Sequence, residues 1–212
     1  MTLLRAPALL VVGGALRHSS VMGASDDKKT ARSEDVAPRF RREVPAGDDR
    51  QRLVCRDCGF VDYENPKIVV GSVAAWEDKI LLCRRAIEPR HGFWTLPAGY
   101  LELHEAAAEG ARREAWEEAR ARLEIDQLLA VYSIPRISQI QLIYRARLTS
   151  PEVSAGPETL ELDLFEWDSI PWDQLAFPSV HWALADYHAV REEVVFAPRG
   201  NPPGQDGGLS HP

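Results

Sequence analysis

Gly99-Tyr100-Leu101-Glu102-Leu103-His104-Glu105-Ala106-Ala107-Ala108-Glu109-Gly110-Ala111-Arg112-Arg113-Glu114-Ala115-Trp116-Glu117-Glu118 is the stretch from which both fold and chemistry follow. From Glu105 to Ala119 it is rich in Ala, Glu and Arg and free of proline, which predicts a helix. Glu114, Glu117 and Glu118 stand at i, i+3 and i+4, so they share one face within an arc of roughly 100°. Three carboxylates this close repel one another and weaken an isolated helix. Hard divalent cations want several oxygen ligands, and metal binding would turn that repulsion into a reason for the arrangement. Ala108, Ala111, Ala115 and Ala119 make the other face, small enough for the helix to lie close against a sheet. Metal-assisted hydrolysis of a phosphoanhydride suits such a cluster. Taken alone, the simpler account would be a solvated acidic face.

Working outward, Ile68 to Ala75 and Lys79 to Arg84 are apolar runs joined by Trp76-Glu77-Asp78, which predicts a hairpin. Phe93 to Pro97 is a short strand stopped by Pro97 and Gly99. Leu128 to Ile134, Ile140 to Leu148 and Leu162 to Trp167 read as further strands, with a Pro-, Gly- and acid-bearing loop from Thr149 to Thr159. A helical turn is expected over Ser169 to Leu175 and a terminal helix over Ser179 to Glu193. Residues 1–43 read as a disordered, targeting or linker segment, 44–66 as a short separate unit, 67–195 as the compact domain and 196–212 as a disordered Pro/Gly tail. Interspersed strands and helices with short connections predict an α/β sandwich with a mixed sheet rather than a doubly wound one. Neither standard Gly-rich phosphate loop occurs.

The spacing Gly99, five residues, Glu105, seven residues, Arg113-Glu114, two residues, Glu117-Glu118 resembles the Nudix box nearly position for position. The resemblance implies a Nudix α/β/α sandwich and a hydrolase, in which Glu114, Glu117, Glu118 and the carbonyl of Gly99 hold Mg²⁺ or Mn²⁺. It makes Glu105 and Arg113 the pair that keeps the box in shape. Two positions depart from the family: His104 and Arg120 stand where glycine is usual, and a left-handed residue past a helix end prefers glycine. Neither change removes a ligand.

Asn65-Pro66-Lys67, the run from His91 to Tyr100, and Phe177-Pro178-Ser179 look like the branch associated with ADP-ribose and FAD pyrophosphatases, which is similar to the zinc-ribbon NADH pyrophosphatases too. The implied substrates are ADP-ribose, FAD or NADH, cut to AMP and a phosphorylated product. Phe93 or Trp94 is a candidate to stack a ring, against an ordinary place in the core. Arg84, Arg85 and Arg136 are candidates for the diphosphate oxygens, against plain surface exposure. Glu161 matches the position of a late base or metal ligand in related enzymes, with Glu158 as the runner-up. Cys55-Arg56-Asp57-Cys58-Gly59 resembles the second half of a zinc ribbon. Residues 1–54 contain no cysteine, so a degenerate ribbon without stoichiometric zinc is expected.

The formal net charge is -7 and no long basic run occurs, which argues against a general affinity for nucleic acid. No apolar run is long enough for a membrane span. Three cysteines do not make a disulfide scaffold, and a cytoplasmic setting fits. Met1 to Ser25 carries Arg5 and Arg17 without any acidic residue. It reads either as an organelle-targeting peptide or as an over-extended start. The expected partner is a small-molecule nucleotide, with a homodimer left open. Two other functions stay in view: a nucleotide-binding regulatory module, and a nucleoside triphosphate pyrophosphohydrolase.

Overall fold

A computed structural model describes residues 39–206, which divide into two compact units, 39–63 and 64–206. The first 38 residues, including the targeting or linker reading of Met1 to Ser25, lie outside the described residues.

The smaller unit is a three-stranded antiparallel sheet of β1 (Phe40–Glu43), β2 (Arg52–Cys55) and β3 (Val61–Asp62), with β2 in the middle. The linker expected through residue 43 is thus corrected, since its last residues pair with β2 in the register Phe40↔Cys55 to Glu43↔Arg52. Arg52 Nε donates to Asp48 Oδ2 at 3.0 Å and closes the β1–β2 connection. After β2 the chain turns tightly: Gly59 N–H donates to the Cys55 carbonyl at 3.0 Å, and Cys55 N–H to the Phe60 carbonyl at 2.8 Å.

The larger unit is built on a mixed sheet in the order β10-β5-β4-β9-β8. These are β4 (Lys67–Trp76), β5 (Lys79–Arg85), β8 (Leu123–Ile134), β9 (Gln139–Leu148) and β10 (Thr159–Glu166). Two short strands extend it, β6 (Trp94–Thr95) on β5 and β7 (Ala98–Tyr100) on β4. The β4–β9 pair is parallel and the other pairings are antiparallel. The predicted hairpin is the β4–β5 turn, where Glu77 takes a φ of 52°. Helices α1 (Ala107–Ala119) and α2 (Pro178–Val190) cover the two faces of the sheet, giving the expected three layers.

Side-chain alternation along the strands sorts the core in two. Leu81, Cys83, Leu162 and Leu164 pack with Ala115 and Ala119 of α1. Ile80, Leu82, Trp94 and Phe165 pack with Val180, Ala183 and Leu184 of α2. Ala111, Ala115 and Ala119 are wholly buried, so the small-residue face does bring α1 close to the sheet.

The tail expected to be disordered from 196 is corrected as far as the described residues run. Arg199 bridges Ala130 in parallel, its N–H donating to the Leu129 carbonyl at 2.8 Å and its own carbonyl accepting from Val131 N–H at 2.9 Å. Asn201 Oδ1 accepts from Ser133 N–H at 2.8 Å. The physical reason is that β8 is an edge strand, whose unpaired backbone groups take a partner whatever its side chains. The turn expected over Ser169 to Leu175 is two 3₁₀ turns, Trp167–Ser169 and Trp172–Gln174.

Candidate active site

Helix α1 starts at Ala107, after a loop that rises from β7. Arg113 ties loop and helix together. Its Nε and Nη2 donate to Glu105 Oε1 and Oε2 at 2.9 and 3.1 Å, Nη2 donates also to the Tyr100 carbonyl at 2.9 Å, and Nη1 reaches Glu114 Oε1 at 2.7 Å and Glu117 Oε2 at 3.0 Å. This bidentate, charge-assisted pairing holds the Glu105 carboxyl below its ordinary range. One guanidinium therefore braces Tyr100, Glu105, Glu114 and Glu117, which are spread along the quoted stretch.

Glu114 and Glu118 are each only 8% exposed. Burial pushes the Glu118 carboxyl up to about 8; the Ala98 N–H bond at 3.2 Å opposes this, while the Glu114 charge adds to it. Burial also raises Glu114, with Arg113 pulling the other way. Carboxyls kept above their usual range by desolvation gain from a cation that stabilises the charged form. Among the described residues no three of the acidic side chains converge into a closed cage, because the Arg113 guanidinium bridges Glu114 and Glu117. The donor set fits a hard divalent ion in kind: carboxylates on one face, beside a glycine carbonyl. A side chain at Gly99 would overlap the Glu114 carboxylate, so that position admits only glycine while Glu114 stays where it is.

A cavity of about 950 Å³ opens over this face. Gly99, Arg113, Glu114, Glu117 and Glu118 line one part, together with Arg85, Arg136 and Glu158. Leu96, Ile134, Ile143, Phe177 and Val180 line an apolar part. Arg85 lies with its guanidinium 5.3 Å from the Phe177 ring centre and donates to the Pro89 carbonyl at 2.8 Å.

Of the expected site residues, Glu105 braces the helix through Arg113 without lining the cavity, and Arg84, Glu161, Trp94 and Phe93 lie away from it. Arg84 and Glu161 face each other in the β5–β10 register and form an ion pair at 2.9 Å, with Arg84 Nε donating to the Gly92 carbonyl. Alternation accounts for their place, since Arg84 falls in step with Ile80 and Leu82, and Glu161 with Phe165, on the α2 face. Arg85, one residue on, falls on the α1 face. Trp94 is buried at 8% and meets Phe165 edge-on at 4.9 Å, so it belongs to the core. Phe93 stands beside it with the Arg90 guanidinium 5.1 Å from its ring. The cavity also takes in the apolar wall and Tyr100, Gln139 and Gln141, which no sequence motif marks, because strand ends and a helix start supply them one at a time.

Residues 65–187 match the NUDIX domain family. The chain belongs to the Nudix hydrolase family. Residues 37–64 match the family described as Nudix N-terminal. A crystal structure of a NUDIX hydrolase from Nitrosomonas europaea is 44% identical, covering 76% of this chain and 92% of that one at a TM-score of 0.72. The ADP-ribose pyrophosphatase of Methanocaldococcus jannaschii is 31% identical over 119 residues, 54% of this chain and 69% of that protein. A MutT-like protein of Streptomyces ambofaciens is 38% identical over 79 residues, 37% of this chain and 49% of its own length.

Both family departures are visible in this Nudix hydrolase, since His104 and Arg120 have φ of 65° and 52°. Arg120 ends α1 as a left-handed cap, its N–H donating to the Trp116 carbonyl at 2.9 Å, with Ala121 N–H donating to the Ala115 carbonyl at 3.1 Å. Its guanidinium also donates to the Trp116 carbonyl at 3.0 Å and lies 5.6 Å from the Trp116 ring centre, which offsets the cost of a left-handed non-glycine residue. In the smaller unit Cys55 and Cys58 are free thiols, and backbone N–H groups of Cys58 and Asp57 lower the Cys55 thiol. Cys83 is buried in β5, and burial raises its thiol. Among the described residues no helix is long and apolar enough to cross a membrane.

Proposed function

We propose that this Nudix hydrolase adds water across the diphosphate of an ADP-ribose-type nucleotide (ADP-ribose itself, FAD or NADH), releasing AMP and the phosphorylated remainder. The observation that carries the proposal is the meeting of Glu114, Glu117, Glu118 and Glu158 with Arg85 and Arg136 on one cavity that also has an apolar wall. Its volume of about 950 Å³ sits at the upper end of the range for ligand sites, roughly 300–1,000 Å³, enough for a dinucleotide. The apolar wall suits a ring, and the two arginines suit diphosphate oxygens. The 31% identity to an ADP-ribose pyrophosphatase supports the same substrate class.

Glu114, Glu117 and Glu118, with the Gly99 carbonyl, would hold Mg²⁺ or Mn²⁺. When bound, such an ion neutralises diphosphate charge and lowers the pKa of water. Arg113 and Glu105 orient the acidic face by the contacts described, and Arg113 loses none of its other bonds if Glu114 and Glu117 turn to a cation. Glu158 takes the place first expected of Glu161: its carboxylate accepts the proton of the attacking water. It lines the cavity, whereas Glu161 does not and is engaged by Arg84.

A product-resolved assay on ADP-ribose, FAD, NADH and ATP with Mg²⁺ tests both parts. AMP with a phosphorylated partner from the first three is expected, and preferential pyrophosphate release from ATP refutes the substrate class. Glu158→Gln should lower kcat by roughly 10²–10⁴-fold with KM held within about threefold, while Glu161→Gln stays within about threefold of the parent. Parental turnover in Glu158→Gln removes it from the mechanism.

A further inference from the structure

We infer that Gly156 is the positioning residue of this active site: having no side chain, it lets the loop between β9 and β10 seat on the C-terminal end of α1, and that seating fixes Glu158 beside the acidic helix face. The inference rests on the role proposed for Glu158. Gly156 is buried, and a Cβ there would overlap the Glu117 carbonyl oxygen while lying 2.9 Å from the Glu117 carbonyl carbon and 3.2 Å from Glu118 Cα. All three are backbone atoms of the helix, which cannot swing aside as a side-chain tip can. The conformation at Gly156 is not what demands glycine, as its φ lies outside the left-handed region. Contact demands it.

Two hydrogen bonds mark the seat. Gly156 N–H donates to the Glu118 carbonyl at 2.9 Å, and Ser154 N–H to the Ala119 carbonyl at 2.9 Å. The last carbonyls of a helix have no partners within it. The loop supplies those donors at the very turn that bears Glu117 and Glu118. Beyond the seat there is little slack, because Pro157, with its fixed φ, is all that separates Gly156 from Glu158. The path is held again just after, with Thr159 N–H donating to the Gly156 carbonyl at 3.1 Å and Ala86 N–H to the Glu158 carbonyl at 2.8 Å. Glu158 is thus suspended between the end of α1 and the end of β5, next to Arg85.

A methyl group at 156 needs ordinary contact distances of about 3.5–4.0 Å, and the overlap with the Glu117 carbonyl oxygen forces the loop to retreat by more than about 1 Å. A misplacement of that size costs about 10²-fold in rate. In the full-length protein with Mg²⁺ and ADP-ribose, Gly156→Ala should lower kcat about 10²-fold and leave KM within about threefold. In the Glu158→Gln background the same change should cost no more than about threefold further, since it acts through Glu158. A merely structural role would lower both backgrounds alike, and such additivity overturns the inference. So does parental kcat in Gly156→Ala when Glu158→Gln is slow. Parental turnover in Glu158→Gln instead removes the base assignment and this inference with it. Should Gly156→Ala fail to fold, a glycine inserted between Pro157 and Glu158 keeps the seat while freeing Glu158, and it should lose kcat by a similar factor; full turnover of that insertion overturns the inference.

Discussion

Replacing Glu118 by Gln separates what this side chain costs the fold from what it does for catalysis. Glu118 is 8% exposed, and burial carries its carboxyl from 4.5 up to about 8. Without metal it therefore keeps its proton where the same group in an unfolded chain has lost it. The contribution to stability is fully present below pH 4.5 and is lost as pH rises through about 8. At about 1.36 kcal/mol per pH unit the loss has a ceiling of about 5 kcal/mol. An amide has the shape of the protonated acid and does not titrate, so Glu118→Gln escapes this loss. Urea unfolding of both metal-free proteins from about pH 5 to about pH 9 measures it. The variant's advantage should grow from under about 1 kcal/mol at the acid end to a few kcal/mol near pH 8, while its Mg²⁺-dependent turnover falls by roughly 10²-fold. A stability difference that stays flat with pH would refute the reasoning, because the cost would then not come from ionising this carboxyl.

Two further outcomes follow from the same geometry. Gly99→Ala places a methyl group on the Glu114 carboxylate, which Arg113 pins, so the Mn²⁺ concentration for half-maximal activity should rise about 10–100-fold; an unchanged metal requirement detaches Gly99 from the ion's surroundings. Trp94→Ala empties a core position against Phe165 and should cost about 3–5 kcal/mol in chemical denaturation while KM of the folded fraction holds. A stable variant with a raised KM would return Trp94 to the substrate.

The parts legible in the sequence are those whose information lies in one local period. The carboxylates come from a single helix, so i, i+3, i+4 spacing places them without any knowledge of the fold, and the alanine stripe places the sheet. The β4–β5 hairpin is readable for the same reason. Glu161 shows where that logic stops. Its position resembles that of a late acidic residue in related enzymes, yet strand parity puts it in step with Phe165, away from α1. The signal was present in the alternation of Leu162 and Leu164 against Phe165. It becomes decisive only when β10 is known to pair with β5. The segment after Ala197 fails differently: its Pro/Gly composition suggests disorder, but β8 recruits it through backbone groups that composition does not report. The start of β8 at Leu123 rather than Leu128 has a similar cause, as Glu124 and Asp126 are outward-facing polar positions on a paired strand.

Helix α1 concentrates negative charge that the rest of the unit must make tolerable, and the means chosen explain why the site keeps its shape. Arg113 pairs with Glu105, Glu114 and Glu117 at once, and its bond to the Tyr100 carbonyl ties the stretch that follows Gly99 to the helix. Among the described residues Glu118 has no hydrogen-bonded cation; it has burial, one N–H and the more distant charge of Arg85. The cluster is therefore asymmetric, with one side balanced by a guanidinium and the other left short of positive charge. An incoming cation gains most on the Glu118 side, where desolvation is least compensated, and least where it must displace Arg113. The carbonyl end of the same helix is negative as well, and the loop from β9 meets it with N–H donors before presenting Glu158. Charge balance, helix capping and placement of the proposed base thus fall on one short segment of chain, which is why a change as small as a methyl group at residue 156 is expected to register in turnover before it registers in binding.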